Sequence, residues 1–155
     1  MVTHSQSKLN QTLYEEDFYL WINKTTQLIK ENRFEEVDWE NLIEEIESMG
    51  RSERKELKNR LIVLIEHLLK LMYWEEEKAY NARGWRKTIV EQRRQISFSI
   101  EDSPSLRSLL GEIFLDCYHI AREDMLRKYQ LSSDIFPIDP PFTIKDVVNP
   151  EYLPD

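Results

Sequence analysis

Between Leu57 and Trp74 the chain reads LKNRLIVLIEHLLKLMYW, and apolar residues cover more than half of the helical circumference. Leu57, Leu61, Leu64, Leu68, Leu71 and Met72 form one stripe, which Ile62, Ile65 and Leu69 widen. Asn59, Arg60, Glu66, His67 and Lys70 hold the remaining polar arc. A helix this apolar is normally buried between neighbours. The pattern therefore predicts a central core helix, from Ser52 to about Tyr80. Upstream, Thr12 and Glu15 have capping-box spacing ahead of a first helix over Leu13 to Asn32. Its stripe is Tyr14, Phe18, Trp21, Ile22, Thr25, Leu28 and Ile29. Asp38 is the expected N-cap of a second helix whose inward side is Trp39, Leu42, Ile43, Ile46 and Met49, closed by Gly50 as a C-cap glycine.

Downstream, Asn81 to Gly84 is an expected break, and Trp85, Ile89, Ile96 and Ile100 mark a fourth helix. Ser103-Pro104 is a restart signal, serine at the N-cap and proline at the first helical position. A fifth helix then runs to about Tyr129, with Leu106, Leu110, Ile113, Phe114, Cys117, Ile120 and Ala121 inward. Five of the six prolines fall after Gln130, among apolar residues such as Phe136, Phe142 and Val147. The prediction is an all-α fold: a bundle of about five helices in one domain, residues 1–155. Residues 1–11 are expected as a flexible start, and residues 131–155 as a proline-rich extended arm packed on the bundle.

With 41% apolar and 32% charged residues, the composition is that of a globular domain rather than a disordered chain. The net charge of -8 opposes general affinity for nucleic acid or anionic membrane. Cys117 is the one cysteine, so no intramolecular disulfide forms. The longest apolar run, Leu61 to Ile65, falls far short of the roughly 20 residues that span a bilayer. Together with a polar N-terminus, these features lead us to expect a soluble, cytoplasmic protein and no membrane partner.

Several segments in order carry a family resemblance: LYEEDFYLW at 13–21, DWENLIEEIESMGRSER at 38–54, HLLK at 67–70, GWRKTIVEQR at 84–93, DSPSL at 102–106 and FPIDPPFTIKDV at 136–147. By these the chain resembles, nearly end to end, the domain of unknown function 29 family, found chiefly in cyanobacteria and some other bacteria. The resemblance implies an all-helical domain without an assigned activity, and it carries over no catalytic residue.

Three groups of residues are candidate sites. Arg60 and His67 lie two helical turns apart, about 20° around the wheel, on the polar arc of the central helix. The pair is similar to the ribonuclease motif of HEPN domains, which implies a histidine that moves a proton and an arginine that steadies a phosphate. That motif prefers a polar residue after the arginine, where this chain has Leu61. The simpler alternative is a structural hydrogen bond from His67 at the edge of the core. Glu112, Asp116, His119 and Glu123, spaced 4, 3 and 4, place three carboxylates and an imidazole on one stripe, as carboxylate-bridged metal bundles do. A second carboxylate-x-x-histidine is missing, and the stripe faces away from the apolar side, so a solvated face competes with a metal site. Arg83, Arg86, Lys87, Arg93 and Arg94, with Trp85, form a basic segment suited to nucleic acid or an acidic partner. Ion pairing with Glu44 to Glu47 or Glu75 to Glu77 accounts for the same charges. The four tryptophans and Cys117 fit core stripes, and phosphate-binding loops, cysteine clusters and serine-elbow motifs are absent.

The leading expectation is a non-enzymatic protein-interaction module without cofactor, acting on an unidentified protein partner or as a homodimer. The alternative is an RNA-binding or HEPN-like ribonuclease domain built on Arg60, His67 and the basic segment.

Overall fold

The computed structural model describes residues 2–154 and is all-α, without a strand among the described residues. Six helices occur in order: α1 (Val2–Glu16), α2 (Phe18–Lys30), α3 (Trp39–Tyr73), α4 (Glu75–Asp102), α5 (Leu106–Lys128) and the short α6 (Ile144–Val148), with a 3-10 turn over Phe34–Glu36. Five are substantial, and the chain divides into two compact units at the Ser52–Glu53 bond.

In the first unit, the helix expected over residues 13–32 is two helices. Of residues 1–11, expected as a flexible start, residues 2–11 are helical. Thr12 is interior to α1, its hydroxyl donating to the Lys8 carbonyl at 3.2 Å, and does not cap. The cap is Asp17, whose carboxylate accepts from the Leu20 amide at 3.1 Å and starts α2. Asn32, at φ 60, ends the segment after α2: its amide donates to Ile29 and that of Arg33 to Leu28, the paired bonds of a Schellman ending. The interior is small. Trp21, Leu28 and Val37 are buried with Thr25, Asn10 and Asp38. Asp38 accepts from the Asn41 amide at 3.3 Å, as the expected N-cap would, and from the Trp21 indole at 3.2 Å.

Gly50 does not end a helix. It lies inside α3 without a positive φ, and Arg51 spans it with ion pairs to Glu44 (2.7 Å) and Glu47 (3.8 Å). A single interior glycine lowers helix stability by only about 0.5–1 kcal/mol, too little to break a helix so braced. The two helices expected on either side are therefore one.

The second unit contains the predicted apolar helix as its centre. Leu57, Leu61, Leu64, Ile65, Leu68, Leu69 and Leu71 are at most 1% exposed. Against them pack Trp85, Ile89 and Ile96 of α4, and Leu110, Ile113, Cys117, Tyr118, Ala121 and Met125 of α5. The break after this helix falls at Trp74 rather than Asn81 to Gly84, through which α4 continues. Trp74 leaves helical geometry (ψ 71) with its ring stacked on Trp85 at 6.1 Å and against Tyr129 at 4.8 Å. Tertiary aromatic packing thus places the corner. The restart at Ser103-Pro104 is displaced by two residues, Pro104 lying in the turn ahead of α5. Beyond Gln130, Phe136, Phe142 and Val147 are buried in the same cluster, and Tyr118 donates its hydroxyl hydrogen to the Pro137 carbonyl.

Candidate interaction surface

In the first unit the apolar positions that open α3 do not reach an interior. Trp39 is 44% exposed, Ile43 52%, Ile46 57% and Met49 61%, whereas Leu42 is half-buried. Their spacing of four, three and three keeps them on one side of the helix. They were expected inward, but Trp21, Leu28 and Val37 already fill the interior of this unit. The Trp39 indole is held by a bond to the Phe34 carbonyl at 2.8 Å, which fixes the ring at the surface. Glu40, Glu44 and Glu47 are exposed on the same helix. Residues 1–52 contain eleven Asp and Glu against five Lys and Arg, so this third of the chain carries -6 of the total -8. Sequence periodicity identified the stripe; only the fold showed that, among the described residues, it stays exposed.

Arg60 and His67 each make their own local bonds. Arg60 forms an ion pair with Glu56 at 2.8 Å and reaches Gln92 of α4 at 3.4 Å. His67 is half-buried, its Nδ1 2.7 Å from the Val63 carbonyl one turn back. Nδ1 therefore donates, leaving Nε2 as the acceptor. Burial, with the charges of Lys70 and Lys128, pushes its pKa down, against the pull of the Val63 bond.

Glu112, Asp116, His119 and Glu123 are all exposed on α5. Among the described residues no group of three or more His, Cys, Asp or Glu side chains converges as metal ligands.

The basic segment splits. Arg83, Arg86 and Lys87 are exposed, with no ion pair within 4.0 Å among the described residues. Arg94 pairs with Glu91 at 2.8 Å. Arg93 is not on that face: it is 6% exposed, donating from Nε to Val147 (2.8 Å) and from Nη2 to the Asp146 (3.4 Å) and Tyr152 (2.7 Å) carbonyls. Burial pushes its pKa down. Trp85 is buried on Trp74, so the segment offers no tryptophan for a base to stack on. The arginine with the most specific role looked in sequence like one of five surface charges, because its acceptors lie more than fifty residues away.

Lys70, which its spacing places on the polar arc of the central helix with Arg60 and His67, is buried instead. It is 7% exposed, donates to the Tyr129 hydroxyl at 3.2 Å and lies over the rings of Trp85 and Tyr129 at 5.8 and 5.1 Å. Its signal was a lysine on a mostly apolar helix face. Cys117 is buried as expected, its thiol pKa pushed up to about 11 by burial, which keeps it protonated and unreactive at neutral pH.

Fold and surfaces together define an all-helical protein whose first unit presents an exposed apolar stripe in an acidic segment. The family model described as Domain of unknown function DUF29 matches residues 13–153, and the chain belongs to that family. No curated protein and no solved structure matches it. Among the described residues no helix is long and apolar enough to cross a membrane.

Proposed function

We propose that this is a non-enzymatic protein-interaction module of the cytoplasm, which binds a basic amphipathic helix on the Trp39–Met49 stripe. The observation that carries it is the exposure of Trp39, Ile43, Ile46 and Met49 together in a segment of net charge -6. Apolar residues at helical spacing suit a partner helix laid alongside, and the acidic flank selects a basic one. Like charge disfavours the same surface of a second copy. Gly50 continues this side of α3, and a Cβ there would meet nothing within 4 Å. It leaves room for a partner backbone to approach closely.

The test uses two synthetic helical peptides with one leucine stripe, flanked by lysine in one and by glutamate in the other. Fluorescence anisotropy should show the basic peptide binding, more weakly as salt rises. Ile43→Glu with Ile46→Glu, both at exposed positions, should weaken it by at least about tenfold. Equal binding of the two peptides, or indifference to the substitutions, would overturn the reading. Self-association in sedimentation, abolished by Ile46→Glu, would replace the partner helix by a second copy. RNA cleavage by the pure protein that disappears in His67→Ala would instead establish an enzyme.

A further inference from the structure

Between α4, α5 and α6 of the second unit lies an open cavity of about 750 Å³, within the range of small-molecule sites. Ile96, Ile100, Leu110 and Val148 give it apolar walls. Its charged lining is Arg93, Arg107 and Lys145 against the single acid Glu101, a local balance of +2 in a chain of -8.

Two observations point to a ligand. The first is Arg93. Its Nε and Nη2 are satisfied by neutral carbonyls, while Nη1 is buried without a partner among the described residues. No carboxylate lies within ion-pair distance of Arg93, Arg107 or Lys145 among those residues. A buried cation held only by carbonyl dipoles is incompletely compensated, and an anion in the cavity beside it lowers its energy. The second is Gly111, in the interior of α5. It has no positive φ, and a Cβ built on it meets nothing within 4 Å. Glycine weakens a helix interior relative to alanine, and here neither a turn nor close packing accounts for it. Gly111 lines the cavity, and the absence of a side chain keeps that wall open.

We propose that this cavity binds a small amphipathic carboxylate. Its head sits by Arg107 and Lys145 in the field of Arg93, and its aliphatic body lies along Ile96, Ile100 and Leu110. The predominance of apolar wall selects against a bare inorganic anion. Glu101 selects against a doubly charged head. The cavity and the α3 stripe share no residue, so either proposal stands without the other.

Isothermal titration calorimetry of the full chain with octanoate tests it, with octan-1-ol and inorganic phosphate as controls. Octanoate should bind at one site, octan-1-ol at least about tenfold more weakly, and inorganic phosphate without measurable heat. Arg107→Glu with Lys145→Glu, at exposed positions, should weaken octanoate about tenfold. Gly111→Leu should block it while circular dichroism stays that of the parent and the melting temperature of the free protein is equal or higher, as replacing an interior helical glycine predicts. Absence of octanoate binding to the parent chain at about 1 mM would overturn the proposal. So would equal affinity for the alcohol, tighter binding of phosphate, or retention of octanoate by the charge-reversal variant.

Discussion

Arg93 on α4 donates from Nε to the main-chain carbonyl of Val147, 54 residues later, at 2.8 Å. With the bond to the Tyr152 carbonyl at 2.7 Å, one guanidinium gathers the chain around α6 against α4. Arg93→Ala should lower stability by about 2–3 kcal/mol in denaturant unfolding, since it removes charge-assisted bonds and leaves buried carbonyls unpaired. Arg93→Lys should recover little of this, because a single ammonium does not reproduce the planar fork. An unfolding midpoint unchanged in both variants would show that these bonds contribute nothing net.

Phe136 is 1% exposed and meets Tyr73 edge-to-face at a centroid distance of 6.4 Å. Phe136→Ala should destabilise by about 3–4 kcal/mol, the range for a truncated core phenylalanine. Tyr118→Phe keeps the packing and loses only the bond to Pro137, for about 1 kcal/mol. Thermal unfolding of the two variants separates packing from hydrogen bonding at this junction.

Gly50→Ala should raise stability by about 0.5–1 kcal/mol, since α3 is continuous there and the added methyl meets nothing within 4 Å. A lower melting temperature would mean that α3 is interrupted at Gly50 in solution. The same substitution should weaken the basic peptide if a partner backbone approaches at that point.

His67 should titrate below 6.5 in the folded protein, followed by its ring-proton chemical shift. Because its folded pKa is depressed, the unfolded chain protonates first as pH falls. The unfolded state then binds more protons, so this contribution to stability is complete above about pH 6.5 and declines below it. His67→Gln should flatten the urea midpoint between about pH 7 and pH 5. A midpoint slope equal to that of the parent would place the acid sensitivity elsewhere.

Cys117 gives the opposite limb. Its folded thiol resists ionisation until about pH 11, while an unfolded thiol ionises from its ordinary value of 9.0. Over that interval the unfolded state holds fewer protons, so stability falls as pH rises. Cys117→Ala should reduce the alkaline slope, and a thiol reagent at neutral pH should label the parent only after unfolding. Prompt labelling of the native protein would contradict the burial.

Periodicity alone predicts the all-α class, the apolar helix from Leu57 to Leu71 as a core element, and most of the inward side of α5, though not its buried Tyr118 and Met125. These rest on side-chain periodicity, which local order fixes and which a central helix cannot bury in any other way. Helix ends that depend on a residue's own side chain or backbone also showed partly: Asp38 bonds the Asn41 amide as an N-cap does. The tertiary structure decided the rest. It kept α3 continuous through Gly50, where a possible stop has no partner to enforce it. It broke the chain at Trp74, where Trp85 and Tyr129 hold the ring. It left the Trp39–Met49 stripe at the surface, because amphipathicity states that a face is apolar but not whether anything covers it. It drew Arg93 out of the basic segment to carbonyls more than fifty residues away. Burial and long-range hydrogen bonding are properties of which segments meet, and a local pattern does not contain them.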